Sequence, residues 1–282
     1  MPEQLPSVPT LADKDALVAY ARTFLFVPGD RPDRFDKAAA AGADVVVLDL
    51  EDAVASENKS SARAHVASWL SGGGRGCVRI NAVDQLHHLR DVDALQGVRG
   101  LTAVMVPKAV EIVDYGYLRR SLSCPVIALV ESAAGVHDSN GIARDPSVAR
   151  LAFGHLDYAV DVAAHPTRTA MLHARSQLVL ASRLAGKPAP IDGVTTELTD
   201  SASTIDDMLH GVELGMAGKL LIHPAQVEPI RNALRPSEED VKRARRIVAA
   251  ASRGAAVEVD GRMVDAPILA AAHRLLRGLP SN

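Results

Sequence analysis

The chain has 282 residues, 48% of them hydrophobic and 3% aromatic, and a formal net charge of −3. That length suits one large domain with a small appendage, and the charge gives no field that would draw nucleic acid or an anionic membrane surface. Its two cysteines, Cys77 and Cys124, both lie in apolar runs and suggest neither a disulfide framework nor a zinc site.

Residues 1–21 carry Pro2, Glu3, Pro6, Pro9, Asp13, Lys14 and Asp15 without a long apolar run, so they look like neither a signal peptide nor a membrane span. They read as a flexible N-terminal lead-in or a short capping helix, since ADKDALVAYAR can form an amphipathic segment, and a cytoplasmic location is the expectation. Eight short apolar runs follow: TFLFVPG from Thr23, DVVVLDLED from Asp44, CVRIN from Cys77, AVMVPK from Ala103, PVIALVES from Pro125, LAFGHLD from Leu151, PAPIDGV from Pro188 and KLLIHP from Lys219. Ala-, Leu- and Arg-rich stretches with helical spacing separate them. Strands alternating with helices predict parallel βαβ units, and eight units predict an α/β chain folded as a (β/α)8 barrel over residues 22–235.

After Arg235 the pattern changes. Ser237 with Glu238, Glu239 and Asp240 marks a helix start, VKRARRIVAAASR continues it, and alternation around Asp260-Gly261 signals a hairpin. PILAAAHRLLRGL closes the chain as another helix. Residues 236–282 therefore read as a helix-hairpin-helix appendage, a lid or an oligomer contact.

A barrel builds its active site at the C-terminal ends of its strands. Asp49, Glu51, Asp52, Arg79, Asn81, Lys108, Glu131, Asp157, Asp192 and His223 fall there. Glu131 and Asp157 on neighbouring loops suit Mg²⁺, which takes oxygen ligands and keeps part of its hydration shell; helix capping is the structural alternative for either, and is favoured for Asp161. Arg79, directed into the mouth, would bind a carboxylate or an enolate oxygen, or pair with Glu51 or Asp52. Asp49, Glu51 and Asp52 are too dense a cluster to lie buried without cations or water; one of them suits metal-linked waters, and Asp52 alternatively caps the next helix. Lys108 reads as an ion-pair partner more readily than as a Schiff-base lysine, and His223 as a packed histidine.

Taken together, RTFLFVPGDRPDRFDKA, GADVVVLDLEDAV with Lys59 and Arg63 behind it, VRIN, VPK, ALVESAAG, LAFGHLDYAVD, PIDGV and GKLLIHPAQV resemble the citrate lyase beta-subunit-like family of acyl-CoA lyases, in order from Arg22 to about Val227. Met216 and Tyr158 depart mildly from the usual residues. The resemblance implies a Mg²⁺-dependent carbon-carbon lyase that cleaves a citramalyl-CoA, malyl-CoA or citryl-CoA type substrate to acetyl-CoA and an oxo acid, with CoA as part of the substrate. It implies that Glu131 and Asp157 hold Mg²⁺ and that Arg79 contacts substrate; Glu51 and Asp52, from the acid cluster after the second run, are counted with Arg79 as catalytic candidates. GRMVDAP resembles the lid motif of the free-standing lyases, so Asp265 would act across subunits of a homotrimer or hexamer as general acid. Arg22, Arg31, Lys59 and Arg63 are the expected cations for CoA. Two other readings remain: a metal-dependent aldolase on free oxo acids, and a non-catalytic barrel subunit.

Overall fold

The computed structural model describes residues 9–198, 200–251, 257–260 and 262–277. The chain divides into two compact units, Met1–Ala233 and Leu234–Asn282.

In the first unit every predicted run forms a strand: β1 (Thr23–Pro28), β2 (Val45–Asp49), β3 (Gly76–Arg79), β4 (Leu101–Val106), β5 (Val126–Val130), β6 (Val148–Phe153), β7 (Ile191–Asp192) and β8 (Gly218–Leu221). Each pairs in parallel with its sequence neighbour, and β8 pairs with β1, so the sheet closes as an eight-stranded barrel. Around it run α1 (Leu11–Tyr20), α2 (Phe35–Ala40), α3 (Lys59–Ser71), α4 (His88–Leu95), α5 (Tyr115–Leu122), α6 (Ala133–Arg144), α7 (His155–Asp161), α8 (Arg168–Leu184), α9 (Ser201–Glu213) and α10 (Val227–Ala233).

Every residue of β2, β4, β5 and β8 is buried, because helices cover the outside of such a barrel while side chains fill its interior. The interior cluster takes alternate residues: Val45 and Val47 from β2, Cys77 from β3, Ala103 and Met105 from β4, Ile127 and Leu129 from β5. A period of two then carries the next residue on the same face, Asp49, Arg79 and Glu131, to the C-terminal mouth.

The N-terminal mouth is closed by α1. Thr10 and Asp13 form a capping box at its start, and Val18 and Ala21 join the barrel's interior cluster. Arg150, only 1% exposed, donates to the carbonyls of Val18 at 2.9 Å and Ala21 at 2.6 Å, and its Nε donates to Ala189 O at 2.7 Å. The lead-in is thus a fitted plug over its helical part.

The second unit holds α11 (Glu238–Ala251), an antiparallel hairpin of β9 (Val257–Val259) and β10 (Arg262–Val264), and α12 (Ala266–Arg277). Ala244, Ile247, Val264 and Ala272 form its own small core. Asp260 takes the left-handed conformation at the hairpin turn, with φ 51°; Gly261 lies outside the described residues. Asp265 Oδ1 accepts the Ile268 N–H at 3.2 Å, which makes Asp265 the N-cap of α12. No described helix is long and apolar enough to cross a membrane.

Candidate active site

At the C-terminal mouth a cavity of about 370 Å³ opens. Asp49, Asp52, Arg79, Glu131 and Asp157 line one part of it, and Phe26, Leu129, Phe153, Val194, Leu220 and Ile222 the apolar part. Five of the ten ionisable or polar rim residues singled out in the sequence therefore share one space.

Arg79 is the pivot. Its Nε and Nη2 donate to the two carboxylate oxygens of Asp49 at 2.8 and 2.5 Å, a bidentate fork. Its Nη1 lies 3.1 Å from Glu51 Oε2 as an ion pair, without the alignment of a hydrogen bond, and its guanidinium sits 4.9 Å from the Phe26 ring centroid. Burial works against the Arg79 charge, but Asp49 and Glu51 outweigh it and hold the group protonated. Asp49 also accepts the backbone N–H groups of Glu51 and Ala53. It is thus the main partner of Arg79, where the sequence pointed to Glu51 or Asp52; the pleat explains this, since Val47↔Cys77 and Asp49↔Arg79 are register partners.

Glu51 is buried, 1% exposed, between Arg79 and Lys108 Nζ at 3.2 Å. Burial raises its pKa against the pull of Arg79. Lys108 is held charged by Glu51, which overcomes its own partial burial. Its backbone is in the left-handed region, φ 49°, and its N–H donates to Glu131 Oε1 at 2.8 Å. Asp52 is exposed on the cavity and caps no helix, contrary to the capping alternative.

Glu131 stands at the end of β5, 3% exposed, with Oε2 buried and without a hydrogen-bond partner. Burial, reinforced by the charges of Glu51 and Asp157, pushes its pKa up to about 8. Asp157 lies in the first turn of α7, exposed to the same cavity. A carboxylate oxygen buried with nothing to bind, beside a second carboxylate, is the donor set of a hard divalent cation that completes its shell with water and substrate oxygens. Among the described residues no group of three or more His, Cys, Asp or Glu side chains converges as a closed site.

His155 was not singled out in the sequence, yet it lines the cavity two residues before Asp157. Burial, with Arg175 nearby, pushes its pKa down to about 4, so the ring is neutral. Its buried Nδ1 has no partner and is packed against Gly193, where a Cβ would come within 2.1 Å. Behind it Asp192 pairs with Arg175 at 2.8 Å, so Asp192 serves the wall from outside. Asn81 is likewise turned away, bonded to Asp91 Oδ2 and Leu50 O. His223 is exposed rather than packed, and its Nδ1 accepts Ala225 N–H to cap a short 3-10 turn at Pro224–Gln226. Asp161 ends α7 instead of starting a helix, and caps α6 through Ala133 N–H at 2.6 Å.

The four cations expected for CoA are scattered. Arg22 precedes β1 and so lies at the N-terminal mouth, a strand's length from the cavity; its backbone N–H donates to Asp44. Lys59 is buried and holds the carbonyls of Leu50 and Glu51 at 2.9 and 2.7 Å, fixing the loop that carries the acids. Arg63 is paired with Asp91 on α4 at 2.8 Å. Only Arg31 is an exposed cation on a loop at the catalytic end, paired with Asp33. Sequence reading passed over Arg34 and Lys37, which line a neighbouring cleft of about 360 Å³ with His223 and share Phe26 and Ile222 with the cavity.

Residues 22–224 match the family model described as HpcH/HpaI aldolase/citrate lyase. The citrate lyase subunit beta-like protein of Mycobacterium tuberculosis is 38% identical over 263 residues, 90% of this chain and 94% of that protein. The L-malyl-CoA/beta-methylmalyl-CoA lyase of Cereibacter sphaeroides is 33% identical, covering 91% and 93%. The crystal structure of Mycobacterium tuberculosis CitE with magnesium, acetoacetate and coenzyme A superposes with a TM-score of 0.80 at 34% identity, over 92% of this chain and 98% of that one. The chain therefore belongs to the HpcH/HpaI aldolase/citrate lyase family, and its enzyme class is carbon-carbon lyase.

Proposed function

We propose that this protein is a Mg²⁺-dependent lyase that cleaves a 3-hydroxyacyl-CoA bearing a carboxylate on its hydroxyl carbon, giving acetyl-CoA and an oxo acid. The observation that carries this reading is the partnerless buried Oε2 of Glu131, on a residue that lines one cavity with Asp157 and Arg79.

Glu131 and Asp157 would hold Mg²⁺, and the ion would supply Lewis-acid polarisation of the bound hydroxy acid. Asp52, exposed on the same cavity, would accept the hydroxyl proton. As the carbon-carbon bond breaks, charge passes to the thioester oxygen, and Arg79, kept charged and oriented by Asp49, donates to that oxygen. Glu51 and Lys108 hold Arg79 and Glu131 in place through the 3.1 and 3.2 Å ion pairs and the Lys108 N–H. Asp265 of a second copy would protonate the enolate carbon, in a trimer or hexamer. The CoA chain would leave past Arg31 toward the Arg34 and Lys37 cleft, where its phosphates meet cations.

Glu131→Gln and Asp157→Asn each test this. Both should retain the fold and lose Mg²⁺-dependent thioester cleavage; full activity in either contradicts the reading. Cleavage of a free hydroxy-oxo acid by the unaltered protein, with no use of any CoA thioester, would support the aldolase instead.

A further inference from the structure

His155 offers its two ring nitrogens to different surroundings. The ring is 9% exposed and lines the cavity two residues before Asp157. Its Nδ1–Cε1 edge is pressed on Gly193: a Cβ at position 193 would stand 2.1 Å from Nδ1 and 3.0 Å from Cε1. Nδ1 is buried, with no hydrogen-bond partner among the described residues. The cavity therefore meets the opposite side of the ring, Nε2 and Cδ2.

The polar groups behind the ring are turned elsewhere. Arg175 Nε donates to Asp192 Oδ1 at 2.8 Å, and Asp192 Oδ2 is turned to Gly211 on α9. Lys219, 1% exposed, donates from Nζ to Gly193 O at 2.9 Å. A neutral imidazole carries one proton. On Nδ1 it would be a buried N–H without an acceptor, the costly kind of orphan; on Nε2 it faces the cavity, where an oxygen can take it. The imidazolium also carries a hydrogen on Nε2, so the donor is there in either charge state.

Strand order says which end of a bound substrate reaches this donor. Arg79 ends β3, Glu131 follows β5, and His155 and Asp157 follow β6, with the His155 ring against Gly193 after β7. In the lyase reading the thioester lies at Arg79 and the hydroxy acid at Glu131 and Asp157. The group that reaches on toward β7 is then the acid's carboxylate. A neutral N–H binds its oxygen without setting a second positive charge beside the divalent cation those two acids would hold.

Resting on that lyase reading, we infer that His155 is a substrate-binding residue whose Nε2–H donates to a carboxylate oxygen of the acid held beside Glu131 and Asp157. The carboxylate is present before and after the carbon-carbon bond breaks, so the contact acts on KM more than on kcat.

The test compares His155→Phe, His155→Asn and His155→Gln on whichever thioester the unaltered protein cleaves. Phenylalanine keeps an aromatic ring and lacks the donor; an asparagine amide reaches only the Nδ1 position, and a glutamine amide reaches that of Nε2. His155→Phe and His155→Asn are expected to raise KM about tenfold or more with a smaller change in kcat, as loss of a hydrogen bond to a charged group predicts, and His155→Gln to recover most of that loss. An unchanged KM in His155→Phe, an equal rise in all three, or rescue by asparagine instead of glutamine overturns the inference. Where variants fail to fold, ¹⁵N-histidine spectra of the unaltered protein with Mg²⁺ decide, the His155 signals being those lost in a variant that does fold. A proton on Nε2, with an Nε2 signal that moves as pyruvate binds, supports the inference; a proton on Nδ1, or an Nε2 signal unmoved while calorimetry shows pyruvate bound, overturns it. Cleavage of no thioester by the unaltered protein overturns the lyase reading, and the pyruvate response then judges His155 by itself.

Discussion

Gly154 leaves the space that the Glu131 carboxylate fills: a Cβ at position 154 would stand 2.5 Å from Glu131 Oε2 and 2.6 Å from Glu131 Cβ. The backbone there has φ −92° and ψ 72°, accessible to an L residue, so only the contact forbids a side chain. Gly154→Ala should fold, at a cost of about 1–3 kcal/mol from overpacking, and should displace Glu131 from Asp157. Mg²⁺ affinity is expected to fall about tenfold or more, since a change in ligand support commonly costs 10–100-fold. Calorimetry with Mg²⁺ checks this, and an unchanged affinity contradicts the role given to Glu131.

The Asp49 and Arg79 fork makes a second prediction. Asp49→Asn leaves a buried guanidinium with Glu51 as its remaining carboxylate. Breaking one side of a buried pair costs about 3–5 kcal/mol; with Glu51 still present the expected loss is at the lower end. The urea midpoint should fall at constant slope, and kcat should fall with it, because Arg79 loses its orientation toward the thioester oxygen.

Glu131 sets a pH dependence. In the unfolded chain a glutamate releases its proton near its ordinary 4.5, whereas in the metal-free fold Glu131 releases it near 8. Between those values the native state keeps a proton that the unfolded state has lost, so this residue's contribution to stability falls as pH rises from about 4.5 to about 8, and is level outside that window. Mg²⁺ uptake below pH 8 should expel close to one proton, because the ligand must be ionised. Titrations in buffers of different ionisation enthalpy measure that proton. Glu131→Gln should remove both the release and the sloping stability; persistence of either would place the titrating group elsewhere.

Asp265 is best tested with asparagine. As N-cap of α12 it accepts the Ile268 N–H, so alanine would cost about 1 kcal/mol of helix stability as well as the acid. An asparagine side chain caps equally well and cannot supply the proton. Asp265→Asn should keep the thermal midpoint and Mg²⁺ affinity while abolishing turnover; undiminished cleavage would remove Asp265 from the mechanism.

Much of this architecture is legible in the sequence, because barrel strands are short apolar runs whose ends carry the polar rim. TFLFVPG, DVVVLDLED and PVIALVES became β1, β2 and β5 within one to three residues, strand-end position put Glu131 at the mouth, and the two-residue period turned Arg79 inward. What strand-end position alone leaves open is the direction of neighbouring side chains in a loop. LDLED holds three acids, and only the pairing of β2 with β3 assigns Asp49 to Arg79 and leaves Asp52 in solvent. Lys59 and Arg63 sit next to that loop in sequence, but helix geometry turns one beneath it and the other onto α4. His155 and its matching Gly193 are 38 residues apart, and nothing short of the fold brings them together.

The most direct measurement is incubation of the purified protein with citramalyl-CoA, malyl-CoA and citryl-CoA separately, with Mg²⁺ or with EDTA, following acetyl-CoA and oxo acid together. EDTA-sensitive release of both products in equal amounts from one of these thioesters is the expected result. Stable thioesters in all three reactions with Mg²⁺ present would contradict lyase action at the cavity of Arg79, Glu131 and Asp157.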